Sequence, residues 1–285
     1  MAGGTRSRRG ALALTAALTL PGAALAGVAR TAAPAQESQE APAGPPARVL
    51  VVSATAGFTH DSIPFSREVI DRLGRESGAF ETTHLPDLGS LRDLTADTLA
   101  AHQAVFFLNT SGELPLDGSQ RQALVRFVSG GGGFLGAHAA TDTLYSWPEY
   151  GELVGAYFRE HPWTQPVTVA VPDESHPLTA GLGPAFDLTE EVYTFRTAPR
   201  AEARVLLRLD PASVGMDGTS GSTSGVRGDV PLAWCAPFGA GRSFYSALGH
   251  FDAVWQDAHV QRLLLAALRW TTGQLSIDPA LTRSP

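Results

Sequence analysis

The sequence predicts an α/β fold: a doubly wound, mainly parallel sheet with an antiparallel extension in its C-terminal half. Three observations predict it. Continuous apolar runs recur at VLVVS (Val49–Ser53), AVFFLN (Ala104–Asn109) and GFLGA (Gly133–Ala137), the pattern of strands buried on both faces. Helical patterns stand between these runs, and strands alternating with helices imply parallel pairing through right-handed crossovers. In the second half, PVTVAV, EVYTF, RVLLRL, PLAWCAPF and RSFYSA follow one another with few helices between them, which predicts antiparallel pairing there.

After the first apolar run, DSIPFSREVIDRLGRESG reads as a helix, with Asp61 or Ser62 as N-cap, Pro64 near the first position and Gly78 beyond the end. Phe65, Val69 and Leu73 recur at i, i+4 and i+8 and mark its buried face. FETTH (Phe80–His84) is a short strand. Asp117 and Gln120 form a capping-box pattern, opening a helix that buries Leu124, Phe127 and Val128 and ends at the Gly130 run. PLAWCAPF-GAG-RSFYSAL reads as a hairpin. The Gly/Ser/Thr-rich stretch Pro211–Asp229 reads as a surface loop. Asp257–Thr272 reads as the last helix, stopped by Gly273.

The 285 residues are 44% hydrophobic and 17% charged, an ordinary globular composition. The net charge of -7 gives no reason to expect a nucleic-acid partner or attraction to an anionic membrane. No lysine occurs, so Schiff-base catalysis is excluded. The single cysteine, Cys235, excludes an intramolecular disulfide and a Cys-rich metal site.

Arg6, Arg8 and Arg9 precede the apolar run ALALTAALTLPGAALA, and Ala24-Leu25-Ala26 fits a small-x-small cleavage site. Residues 1–26 therefore read as a signal peptide of the Sec or twin-arginine type. The run is too short and too broken by Pro21 and Gly22 for a membrane span. A disordered Ala/Pro-rich linker is expected over residues 27–47, one folded domain over 48–273 and a tail over 274–285. The expectation is an exported protein with no membrane span in its mature form.

In a doubly wound sheet the ligand lies outside the carboxyl ends of the strands. Three loops should open there: Thr55–His60, Asn109–Gly112 and Ala137–Asp142. Two carry a histidine. In GGGGFLGAHAATD, His138 occupies the turn after a glycine-rich strand, where α/β enzymes usually place a serine or cysteine nucleophile. An imidazole there can hold a metal, move a proton or donate a hydrogen bond. With His60 and further donors it would suit zinc or another divalent ion. The plainer reading is a core histidine bonded to a backbone carbonyl.

GFTHDSIP, FLNTSGE, GGGFLGAHAATDT, HPW, DESHPLTAGL, TEEVYTF and RSFYSALGH together resemble the ThuA-like family, which is named for trehalose utilisation. The resemblance spans nearly all of Arg48–Gly273. It implies the class I glutamine amidotransferase-like, flavodoxin-like sheet and a role in carbohydrate metabolism on a keto-sugar or disaccharide. Related amidotransferases carry their catalytic cysteine at the elbow. His138 stands there instead, and Cys235 lies too far along the chain to replace it, so glutaminase chemistry is not expected.

Carried over by motif, His60, His138, His250 and an acid of Glu190-Glu191 are the candidate catalytic and metal-ligating set, with Glu191 preferred. The plainer reading of the acidic pair is a solvated strand start. Asn109, Thr110, Asp142, His161 and Trp163 are the candidate substrate-binding residues. His161 and His176 precede prolines, so each is either a rim residue or a turn cap. Trp147, Trp163, Trp234 and Trp255 could supply a stacking wall for a sugar. Two functions follow: an enzyme acting on a carbohydrate through a metal or through acid/base work, as a hydrolase, lyase or isomerase, and a non-catalytic sugar-binding module in the same pocket.

Overall fold

The computed structural model describes residues 44–214 and 229–284. The expected signal peptide, most of the linker and residues 215–228 of the Gly/Ser/Thr-rich loop lie outside the described residues. The first half alternates as the apolar runs require. Strand β1 (Ala47–Val52) leads to helix α1 (Ile63–Ser77), and β2 (Phe80–Leu85) to α2 (Ala96–Ala100). Strand β3 (Ala104–Leu108) leads to α3 (Gly118–Ser129), and β4 (Gly133–Ala137) to α4 (Pro148–Val154). Then come β5 (Phe158–Ala170), β6 (Ala185–Phe195), β7 (Arg204–Leu209), β8 (Pro231–Phe238) and β9 (Gly241–Ser246). Helices α5 (Asp252–Gln256) and α6 (Ala258–Thr271) follow.

The strands form one sheet in the order β2-β1-β3-β4-β9-β8-β7-β5-β6. The three apolar runs are parallel neighbours, with Val49 opposite Ala104 and Ala104 opposite Gly133. β9 joins β4 in parallel, with Ala137 opposite Ser246. The carboxyl ends of β1, β3, β4 and β9 therefore share one edge, which is where ligands of such sheets lie. From β9 onward all pairings are antiparallel, including the expected β8–β9 hairpin.

Side chains explain these elements. Every residue of β3 and β4 is buried, and truncating a core phenylalanine such as Phe106 costs about 3–5 kcal/mol. α3 carries the expected capping box, with Asp117 accepting from Ser119 N and Gln120 N. Asp257 caps α6 rather than beginning it. Gly78 ends α1 with a φ of 61°, which glycine adopts without a Cβ penalty. Ser62 sits at the N-cap position of α1 but does not cap it. Its hydroxyl donates instead to Gly249 O at 3.1 Å, tying the start of α1 to the segment after β9.

Three expectations change. β5 and β6 are longer than PVTVAV and EVYTF, and their ladder runs from Ala170–Ala185 to Phe158–Phe195. β5 pairs with β7 only at Val169 and Ala170, so the rest of the β5–β6 ladder is free to reach the sheet's carboxyl edge. The tail after residue 273 packs against the domain: Arg283 bridges to Ala203, and Thr282 is buried. The tryptophans form no open wall, since Trp147, Trp163, Trp234 and Trp255 are all buried, with indole N–H groups of Trp234 and Trp255 donating to Val154 O and Gly249 O. No helix among the described residues is long and apolar enough to cross a membrane.

Candidate metal centre

His60 ends the loop after β1, His138 is the first residue after β4, and His250 follows β9. All three lie at the carboxyl edge that the parallel pairings define. The imidazole centroids are 4.7 Å apart for His60–His138, 5.2 Å for His60–His250 and 5.4 Å for His138–His250. Glu191 comes from β6, carried there by the free half of the β5–β6 ladder. One ligating atom from each of these four residues lies within 4.8 Å of all the others.

The elbow itself is visible in the backbone. His138 has a φ of 45°, in the left-handed region that costs a non-glycine residue about 1–3 kcal/mol. Its conformation is held from three sides. Its carbonyl accepts the Tyr245 hydroxyl at 2.7 Å, its Nδ1 meets Ala247 O at 2.8 Å, and its ring lies tilted against Tyr193 with centroids 4.1 Å apart. The small neighbours are required: a Cβ on Gly136 would meet Ala140 Cβ at 3.1 Å, and one on Gly249 would meet Trp255 at 2.9 Å and His138 Cβ at 3.3 Å.

The bond to Ala247 O decides the tautomer. A carbonyl only accepts, so Nδ1 carries the proton and Nε2 presents a lone pair. That fully buried Nε2 has no hydrogen-bond partner, nor does the buried Nδ1 of His60, while His250 Nδ1 stands 3.0 Å from Glu191 Oε2. An orphaned buried polar atom costs about 1–3 kcal/mol, and a cation held among these rings would partner both. A metal-ligating histidine that donates its other N–H to a backbone carbonyl is the usual supporting arrangement. Donors held about 2.1 Å from a tetrahedral zinc ion are about 3.4 Å apart, so binding would draw in donor atoms that now lie within 4.8 Å of one another.

The electrostatics are consistent with that donor set. Burial, and then the neighbouring imidazoles of His138 and His250, push His60 down to about 3, so its ring is neutral at pH 7. Burial alone would raise Glu191, but the His138 and His250 rings outweigh it and hold the carboxyl below the usual range. Glu191 Oε2 is 3.0 Å from His250 Nδ1 and 3.6 Å from His138 Nε2. Its carboxylate raises His250 in return.

The acidic pair divides its work. Glu191 faces the histidines, whereas Glu190 is fully buried behind them. The Glu190 carboxylate accepts from Gly249 N at 2.7 Å, Glu191 N at 2.8 Å and His250 N at 3.2 Å. It thus fastens β6 to the segment carrying His250. Burial raises Glu190, and the His138 ring and the three N–H donors pull against that rise.

The expected substrate-binding residues scatter. His161 lies on the rim, half-exposed, with Nδ1 3.3 Å from Glu191 Oε1. Asp142 is partly buried and accepts the Tyr145 hydroxyl at 2.6 Å; burial raises it and that hydrogen bond opposes the rise. Asn109 and Thr110 are fully buried and present no surface to a ligand. The Asn109 amide donates to Ser62 Oγ and Gly249 O, and Thr110 shares a hydrogen bond with Thr143. Trp163 is buried opposite Val192, one position along β6 from Glu191 and so on the other face of the ladder. His176 caps a turn, accepting from Leu178 N and donating to Leu281 O. Cys235 is fully buried in β8, its thiol pushed up to about 12 by burial.

Tyr193, Phe58 and Phe251 touch the histidines and were not singled out in the sequence. Tyr193 could have been found from the strand period, two residues beyond Glu191. Phe58 and Phe251 each stand within two residues of a candidate histidine, but adjacency alone does not separate a wall from a core residue.

The profile of a family described as ThuA, trehalose utilisation, matches residues 48–271. A ThuA-like protein from Bacteroides uniformis ATCC 8492 superposes with a TM-score of 0.65 at 26% identity, covering 80% of this chain and 92% of that one. Another from Parabacteroides merdae ATCC 43184 gives 0.62 at 20% identity, covering 82% and 92%. A β-galactosidase from Bacillus circulans sp. alkalophilus gives 0.51 at 14% identity, covering 80% of this chain and 31% of that one, a likeness of fold alone. No curated protein matches the chain.

Proposed function

The chain belongs to the ThuA, trehalose-utilisation, family, and we propose that it is an exported protein of carbohydrate metabolism whose ligand meets a divalent metal, zinc in the first instance, held by His60, His138, Glu191 and His250. The family supports a carbohydrate-related role. The observation that carries the metal is the convergence of four donor atoms within 4.8 Å, at a place where the buried Nδ1 of His60 and Nε2 of His138 have no hydrogen-bond partner among the described residues.

Each residue then has a task. His60, neutral at pH 7, offers a lone pair without first losing a proton. The Ala247 carbonyl fixes the His138 ring and its tautomer. Glu191 brings the negative charge, and Glu190 positions Glu191 and His250. His161, on the rim and beside Glu191, is placed to exchange a proton with a bound ligand. When bound, the metal supplies Lewis acidity toward a carbonyl or hydroxyl oxygen. That combination suits hydrolysis, elimination or isomerisation of a keto-sugar or disaccharide.

The test is metal analysis of the purified protein beside His138→Ala. One tightly held ion per chain in the wild type, lost in a variant that keeps its circular dichroism spectrum, is expected. A metal-free wild type that binds a sugar and returns it unchanged would replace this reading with a non-catalytic sugar-binding module. A His138→Ala variant that unfolds without any change in metal content would make His138 a packing residue.

A further inference from the structure

The segments that carry the donor set meet at one peptide unit. Gly249 stands immediately before His250. Its carbonyl accepts three donors: the Trp255 indole N–H at 2.9 Å, the Ser62 hydroxyl at 3.1 Å and the Asn109 amide at 3.1 Å. Its N–H donates to the Glu190 carboxylate at 2.7 Å. A Cβ at this position would meet His138 Cβ at 3.3 Å, so Gly249 also abuts the residue at the elbow.

Almost every one of these contacts leads straight to a candidate ligand. Ser62 follows His60 by two residues, Glu190 precedes Glu191, and Trp255 belongs to the same stretch of chain as His250. Asn109 is the exception, because the loop after β3 brings no member of the donor set. It reaches the others through its side chain alone, Nδ2 donating both to Ser62 Oγ at 3.2 Å and to Gly249 O.

Both side chains forgo ordinary local bonding to make this knot. A serine at the start of a helix usually accepts a backbone N–H of the first turn, and Ser62 does not. Asn109 has a φ of 50°, in the left-handed region that asparagine enters more readily than most residues. The Gly249 carbonyl only accepts, so it fixes which end of the amide faces it. Asn109 Oδ1 is then left buried with no hydrogen-bond partner among the described residues, an unfavourable state for an acceptor. Ser62 and Asn109 are themselves buried, so each acts on the site through its neighbours.

Two loops joined at one carbonyl cannot change their spacing independently, and a tetrahedral ion is sensitive to the spacing of its donors. We propose that Asn109 and Ser62 are positioning residues for the metal centre, whose shared bonds to Gly249 O set the separation of His60 and His250 and act as one unit. The assignment rests on the metal reading above and adds to it the residues that hold two of the ligands in register.

Zinc titration of the purified protein against a competing chelator tests it. Ser62→Ala deletes the hydroxyl. Asn109→Gly deletes the amide and leaves a residue suited to a φ of 50°. Thr271→Val is the control: it removes a buried hydroxyl that bonds Ala267 O, from a residue packed against Gly133 at the opposite end of β4. Zinc affinity should fall about 10–100-fold in each site variant and stay at the wild-type value in Thr271→Val. The double variant should lose much less than the product of the two single losses. With cobalt(II) in place of zinc, the visible bands should change in the site variants and not in Thr271→Val, a signature of altered ligand geometry that lost stability alone does not produce. Ser62→Ala, whose hydroxyl caps nothing in α1, carries the test if Asn109→Gly does not fold.

Zinc affinity within twofold of wild type in the site variants, or an equal loss in Thr271→Val, overturns the assignment and leaves the metal centre in place. Single losses that multiply in the double variant overturn the shared unit. A wild type that holds no zinc removes the metal centre itself, and the assignment with it.

Discussion

Replacing Glu190 by glutamine is the sharpest test of how the donor set is held. The Glu190 carboxylate accepts three backbone N–H groups, from Gly249, Glu191 and His250. A glutamine amide keeps one accepting oxygen. If it takes the place of Oε1, the bonds from Glu191 N and His250 N survive in uncharged form, at about half their strength. The –NH₂ group then faces Gly249 N–H, and that buried donor is orphaned at about 1–3 kcal/mol. The expected loss is about 2–4 kcal/mol in all, which in a domain of this size lowers Tm by roughly 5–15 °C. Because two of the donors belong to the ligand-bearing residues Glu191 and His250, zinc affinity should also fall, by about 10–100-fold. Glu191→Gln is the comparison, removing a ligand while leaving the clamp intact. It should abolish tight zinc binding, and any loss of stability in the metal-free protein then comes from the missing His250 contact rather than from the clamp. The assays are thermal unfolding of metal-free protein and zinc titration against a competing chelator. Wild-type zinc affinity in Glu190→Gln refutes the clamp. Loss of binding in Glu190→Gln with retention in Glu191→Gln reverses the assignment of the two acids.

Metal-free protein should lose stability in mild acid. His60 stands at about 3 when folded against an ordinary 6.5, so unfolding takes up a proton between these values; its contribution is whole above about pH 6.5 and is lost as pH falls toward 3. His250 is raised and acts in the opposite sense, stabilising below about 6.5 and losing that contribution as pH rises. Denaturant midpoints from pH 7 to 4 should therefore fall less steeply in His60→Gln than in wild type, and identical slopes would remove His60 as the cause. Zinc affinity should weaken as pH drops, because the ion must displace the proton that Glu191 helps His250 retain. Intact-mass measurement of the protein from the producing cell should find a chain beginning after Ala26, outside the cytoplasmic membrane; a full-length chain in the cytosol contradicts export.

What could be read from sequence was local, and what could not was decided by packing. The parallel core was legible because β1, β3 and β4 are short apolar runs, each closed by small and polar residues. His60, His138 and His250 were legible for the same reason, standing just past the ends of strands that share an edge. The helices α2, α4 and α5, of five to seven residues, are too short to establish a period and were missed. The choice between Glu190 and Glu191 was open because adjacent strand residues point to opposite faces. Which face meets the histidines depends on the β5–β6 ladder leaving β7 after Val169 and Ala170, a property of no single segment. Asn109 and Thr110 show a related limit: position at a strand end places a polar group at the right edge but does not say that it will be fully buried there. His138 is the opposite case. Its φ of 45° aims the side chain off the strand end, and the Tyr245 hydroxyl and Ala247 carbonyl hold it there. The same strained turn that exposes a nucleophile in other α/β proteins here points an imidazole lone pair at two further histidines and a carboxylate. That buried donor atom, with no hydrogen-bond partner among the described residues, and not the backbone conformation that the buried Leu144 shares, is what supports the proposal of a ligand there.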